Sequence, residues 1–160
     1  MAVVVNTHNS TENVTRSALA RIYRGEMETW EDGQRILALN LPIDSEIRRQ
    51  FYRMVLNVEP TKQFFKPGSP VPFKTMVMKS YDGIRRFVAR TPNAIGYLPL
   101  SEVDDTVAVL KVDGTLPGEP GYALARVTQT RAPTSHSQSW WIDTRWPGSG
   151  AREIRTTRQR

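Results

Sequence analysis

The stretch AVVVNTHNSTENVTRSALARIYRG, Ala2 to Gly25, decides the fold class. Its β-branched opening, Ala2 to Val5, runs into the polar NTHNSTEN, as a buried strand does where it opens into a loop. Thr15 then stands as N-cap of a helix, with Val14 and Leu19 spaced as a hydrophobic staple and Gly25 just past the end. Leu19, Ile22 and Tyr23 form the inner stripe. A strand feeds a helix.

The alternation continues along the chain. Asp32 and Gly33 make a turn, with Trp30 packed beneath it, before an extended stretch from Ile36 to Leu39. LPIDSEI follows, in which Asp44 or Ser45 caps a helix predicted from Ser45 to about Leu56, with Ile47, Phe51, Met54 and Val55 at helical spacing. The prolines of EPTKQFFKPGSPVPF bar a long regular element. Ser80 caps a third helix, Tyr81 to Arg90, with Ile84, Phe87 and Val88 inside and Pro92 beyond. NAIGYLP and VAVLKVDG then read as strands at Ala94 to Tyr97 and Val107 to Val112. The class is α/β, a central mixed or largely parallel sheet flanked by helices.

Composition sets limits on function. A chain of 160 residues is about one domain long and buries a sizeable core. The absence of cysteine excludes disulfides, structural Cys-zinc sites and thiol chemistry, and leaves the compartment undecided. No apolar run approaches the roughly 18 residues that span a bilayer, and MAVVVNTHN lacks a basic region followed by an apolar one. The expectation is a soluble chain with no transmembrane segment, any signal peptide being absent or already removed.

The formal charge of +6 is unevenly placed. Residues 1–125 carry 15 Lys plus Arg against 14 Asp plus Glu, a net of +1, and residues 126–160 carry 7 Arg against Asp143 and Glu153, a net of +5. The basic segment has no lysine, contains Trp140, Trp141 and Trp146, and keeps neither helical nor strand period, so it reads as an irregular Arg-rich tail. The near-neutral domain offers little to nucleic acid.

Nothing assembles into a catalytic set. His8 and His136 are the only histidines, so neither a triad nor a two-His metal motif forms. Asp104 and Asp105 are neighbours on an extended segment and point apart. No GxxxxGK loop is present. No cofactor and no metal is expected, and the chain reads as a non-enzyme.

In order, VVVN, IYRGEMETWEDG, DSEIRRQFYRMVL, NAIGYLP and PGYALAR resemble the phosphate-type substrate-binding proteins of ABC transporters, in particular short single-lobe relatives, over Val3 to Arg126. The resemblance implies a single three-layer lobe of the type 2 periplasmic-binding-protein fold at residues 1–126, with the tail at 127–160 outside it. It implies phosphate or another small oxyanion as ligand, and a periplasmic or secreted location in the family. Full-length members close two such lobes on the anion, and one lobe offers a helix N-terminus with the pattern Arg-x-x-x-Ser-Gly-Thr. The aligned stretch here is LPIDSEI: Ser45 stands at the serine, while Leu41, Glu46 and Ile47 replace the arginine, glycine and threonine.

These departures weaken the site. Leucine supplies neither charge nor a bidentate fork, and Glu46 places a carboxylate beside any bound anion. At about 4 Å and an effective dielectric near 20, that repulsion is about 4 kcal/mol, against about 0.3–2 kcal/mol from the helix dipole. The candidate anion set is Asn6, Ser45, Glu46, Ile47, Arg48 and Arg49. For Ser45 the alternative is a plain cap, for Arg48 and Arg49 a solvated helix face, and for Asn6 a turn. The functional expectation is a non-enzymatic binding lobe related to phosphate transport that holds oxyanions weakly. The alternatives are a protein-interaction or self-associating module that has lost the ligand site, and polyanion binding through the tail.

Overall fold

The computed structural model describes residues 1–125; the tail at 127–160 lies outside them. In chain order the elements are β1 (Ala2–Asn6), β2 (Asn13–Val14), α1 (Arg16–Arg24), β3 (Leu37–Asn40), α2 (Glu46–Phe51) and a π-helical turn (Tyr52–Leu56). They continue as β4 (Phe64–Phe65), β5 (Pro72–Phe73), β6 (Met76–Val77), α3 (Tyr81–Arg90), β7 (Ala94–Leu98), a 3₁₀ turn (Leu100–Glu102), β8 (Val107–Val109) and β9 (Lys111–Val112).

Five strands form the central sheet in the order β6-β3-β7-β1-β8. β1 runs antiparallel to both neighbours, while β3 is parallel to β7 and β6, so the sheet is mixed. All five residues of β1 and of β7 are buried, which is why their sequences run almost unbroken in apolar residues. Successive residues of β7 face opposite sides. On one side an added Cβ at Gly96 would lie 2.7 Å from Ile84 Cγ2, so α3 sits against the strand. On the other, the Tyr97 ring meets Phe51 and Tyr23, which brings α2 and α1 onto the second face. Helices on both faces of one sheet make the expected three layers.

Local signals explain the helix ends. The Thr15 side chain accepts from Ala18 N–H at 3.0 Å, and Gly25 closes α1 at φ +78°, a left-handed conformation that glycine adopts without Cβ strain. Ser80 caps α3 through Gly83 N–H at 3.0 Å.

Three expectations change. The helix from Ser45 to Leu56 is α-helical only to Phe51; from Tyr52 the hydrogen bonds widen, Asn57 N–H reaching Tyr52 C=O, and Asn57 ends the turn at φ 54°. Over a single turn, apolar residues spaced i, i+4 and i+5 serve either register, so periodicity does not separate the two. The strand from Val107 to Val112 breaks at Leu110, whose N–H still reaches Val3 C=O at 2.9 Å. Beyond it β9 leaves the sheet to pair in parallel with β2, a segment that reads as loop in sequence. The extended stretch after the Gly33 turn begins at Leu37 and runs to Asn40, one residue further than expected.

Candidate functional site

The β3–α2 connection, residues 41–45, leaves the sheet beside Asn40, a fully buried amide that organises its surroundings. Its side-chain oxygen accepts from Leu41 N–H at 3.0 Å and from the Tyr97 hydroxyl. Its Nδ2 donates to the Tyr52 hydroxyl at 2.9 Å and to Thr75 Oγ1 at 3.1 Å. Burial holds the Tyr97 phenol well above the ordinary tyrosine range, and burial does the same to Tyr23, whose hydroxyl donates to Leu39 C=O at 2.8 Å. Both stay neutral hydrogen-bond donors at any physiological pH.

The predicted site residues are nearly all engaged inside the fold. Ser45 caps α2, its hydroxyl accepting from Arg48 N–H at 3.4 Å. Leu41 is 1% exposed, a core residue where the family pattern places an arginine. Ile47 packs part-buried against the same core. Arg48 turns inward: one amino group donates to Leu41 C=O at 2.8 Å, the other to Pro60 C=O at 3.0 Å and to the Tyr52 hydroxyl at 3.3 Å, and the guanidinium lies 4.9 Å from the Tyr52 ring centroid. Arg49 pairs with Glu46 at 2.9 Å on the surface.

Asn6 is not part of this cluster. Val5 and Ala38 both stand opposite Ile95, and because β1 runs against β7 while β3 runs with it, the end of β1 lies at the far edge of the sheet from the end of β3. There Asn6 donates to Val88 C=O at 2.8 Å and Ala89 C=O at 2.9 Å, closing the carboxyl end of α3, and accepts from His8 N–H at 2.9 Å. The structure therefore brings together Ser45 through Arg49 and separates Asn6 from them. Trp30 is buried as expected, its indole N–H donating to Asn93 C=O at 3.1 Å.

Sequence reasoning missed Asn40, Tyr52 and Thr75, which shape the ground beneath the loop. The available signal was an asparagine ending an apolar strand directly before Leu-Pro, a position where a buried amide satisfies a turning backbone. Asp104 is held below the ordinary carboxylate range by Thr106 and bridges to Arg85 Nε at 3.1 Å. Among the described residues no three His, Asp or Glu side chains converge as metal ligands, and no helix is long and apolar enough to cross a membrane.

Comparison with known proteins gives the fold a context. No family model matches the chain. The phosphate-binding protein PstS of Bacillus subtilis (strain 168) is 28% identical over 123 residues, covering 73% of this chain and 37% of that protein. An ABC-type phosphate transport receptor from Vibrio cholerae superposes with a TM-score of 0.65 at 22% identity, over 77% of this chain and 52% of the receptor. A putative phosphate ABC transporter substrate-binding protein with bound phosphate, from Clostridium perfringens, gives 0.59 at 25% identity, over 71% and 45%. PstS from Borrelia burgdorferi gives 0.59 at 22%, over 72% and 48%. The chain thus spans about half, or less, of the length of the proteins it matches.

Proposed function

For a chain that is a partial-length relative of the phosphate-binding proteins of ABC transporters, and that has their mixed α/β architecture, we propose the role of a non-catalytic recognition lobe that engages a small oxyanion weakly. One observation carries this reading: the helix start at Ser45 keeps its cap, while both arginines beside it are already engaged, Arg48 by backbone carbonyls and Arg49 by Glu46. The donors that remain are backbone N–H groups of a short helix, without a charged fork. A periplasmic or secreted setting, as in the family, fits this role.

Calorimetric titration with phosphate, beside sulfate and molybdate, tests it. The expected dissociation constant for phosphate is about millimolar or weaker, some three powers of ten above a micromolar receptor site. Micromolar or tighter phosphate binding by the monomer overturns it.

A second reading, a module that acts through protein contacts, has its own support. The edge strand β6 exposes Met76 and Val77, 45% and 52% accessible, near the exposed Ile43. Unpaired apolar edges invite pairing with another chain. Light scattering across a concentration series distinguishes the two: a dimer dispersed by Val77→Lys supports the contact reading, and a monomer at all concentrations removes self-association.

A further inference from the structure

A cavity of about 220 Å³ opens among Arg48, Tyr52 and the 60–75 segment, and none of Ser45, Glu46, Ile47 or Arg49 lines it. Among the described residues its wall carries three cations, Arg48, Lys62 and Lys74, and no carboxylate. None of the three forms an ion pair with an acid among the described residues. Arg48 is held by neutral oxygens alone, and its Nε is buried with no partner, so its charge is positioned without being compensated. A part-buried cation in that state favours an anion nearby.

The hydroxyls of the wall point to the same chemistry. Leu41 N–H fixes the orientation of the Asn40 amide, so Asn40 Nδ2 must donate to Tyr52 and Thr75. Tyr52 accepts from Arg48 as well. Each hydroxyl is thereby used as an acceptor and keeps its own proton, with no acceptor for it among the described residues. Lys62 and Lys74 bring two ammonium groups to the wall, the engaged Arg48 adds its uncompensated charge, and Tyr52 and Thr75 line it as well. Phe64, Phe73 and Ile43 are among the other residues that line it, with Thr61 and Gln63 at its polar part. The volume is far above the roughly 30 Å³ of one water and exceeds what a bare tetrahedral oxyanion fills.

We infer that this cavity binds a small organic oxyanion, a carboxylate or phosphate head on an apolar body about the size of a phenyl ring. The head meets Lys62 and Lys74 in the field of the Arg48 charge, and the body lies against the rings. The cavity shares only Arg48 with the predicted anion set, and the inference stands independently of weak phosphate binding at the Ser45 helix start.

Calorimetry on the full chain with phenyl phosphate, benzoate, inorganic phosphate and phenol tests it. At least one aryl anion is expected to bind with a dissociation constant below about 1 mM, with inorganic phosphate and phenol at least about tenfold weaker. Lys62 and Lys74 are exposed and their side chains make no hydrogen bond in the fold, so the pair Lys62→Glu and Lys74→Glu should leave the melting temperature near wild type and weaken the aryl anion about tenfold or more. Thr75→Val provides an independent variant, expected to weaken it severalfold. The inference is overturned if phenol binds as well as the anions, if neither anion binds at 10 mM, or if the lysine pair leaves the affinity unchanged.

Discussion

The rings of Phe51 and Tyr97 stack face to face, 4.1 Å between centroids and 3° apart in plane, joining α2 to the centre of the sheet. Tyr23 meets the same Phe51 edge-on at 4.6 Å. Three aromatic side chains from two helices and one strand thus share one contact. Phe51→Ala is expected to cost about 3–5 kcal/mol, with Phe51→Leu costing less, as measured by urea unfolding. A loss below 1 kcal/mol for the alanine variant would mean that the helix does not depend on this stack.

The other face of the same strand sets the second prediction. Gly96 faces Ile84 so closely that a methyl group would come within 2.7 Å of Cγ2, and both residues are on regular, well-packed elements. Gly96→Ala should destabilise by about 1–3 kcal/mol. Adding Ile84→Ala should cost less than the sum of the two single changes, because the second opens the space that the first needs. Simple additivity in a double-mutant cycle would refute the close approach.

Leu41 yields a prediction that runs against the family pattern. Arginine at this 1% exposed position, as in the family pattern, buries a charge next to Arg48, whose guanidinium already donates to Leu41 C=O. Leu41→Arg is expected to lower stability by about 3 kcal/mol or more, whereas Glu46→Gly with Ile47→Thr, at exposed and half-buried sites, should be far milder. Phosphate affinity, read by calorimetry, should rise with the pair and not with Leu41→Arg.

Alkaline pH should unfold the protein through its buried phenols. Tyr23 and Tyr97 have folded pKa values raised by burial above the unfolded value of about 10. Their contribution is intact below pH 10 and is lost as pH climbs past 10 toward the folded values. Tyrosinate absorbance from these two should therefore appear together with loss of circular dichroism above pH 10. Burial raises Tyr122 as well, to about 12, so Phe substitutions at all three positions should remove that coincidence. Full titration of all five tyrosines with the fold intact would contradict it.

How much was legible in the sequence depends on how local each feature is. Thr15 and Gly25 bracket α1 because caps act over one turn, and NAIGYLP reads as a strand because both faces of β7 are buried. The misplacement of Asn6 has a different origin. Sequence shows that a strand ends there, but which edge of the sheet that end occupies depends on pairing with residues some 90 positions away. Arg48 is a similar case: its spacing is that of a surface helix position, while Leu41 and Pro60, brought near by the loop and the turn after α2, draw it inward together with Tyr52 one turn on. Asn40 shows locally only an asparagine ending an apolar strand before Leu-Pro, since three of its four partners come from residues 52, 75 and 97.

The antiparallel placement of β1 also governs the order of assembly. The first strand of the chain is completed on both sides only by β7 and β8, whose partners to Val5 are Ile95 and Ala108. During synthesis the valines at 3 to 5 therefore wait for about 90 further residues before any sheet neighbour exists. Such long-range closure slows folding and leaves a sticky apolar segment exposed on the ribosome. A nascent chain stopped before residue 107 is, on these grounds, a client for chaperones, and a chain stopped after it can close its sheet.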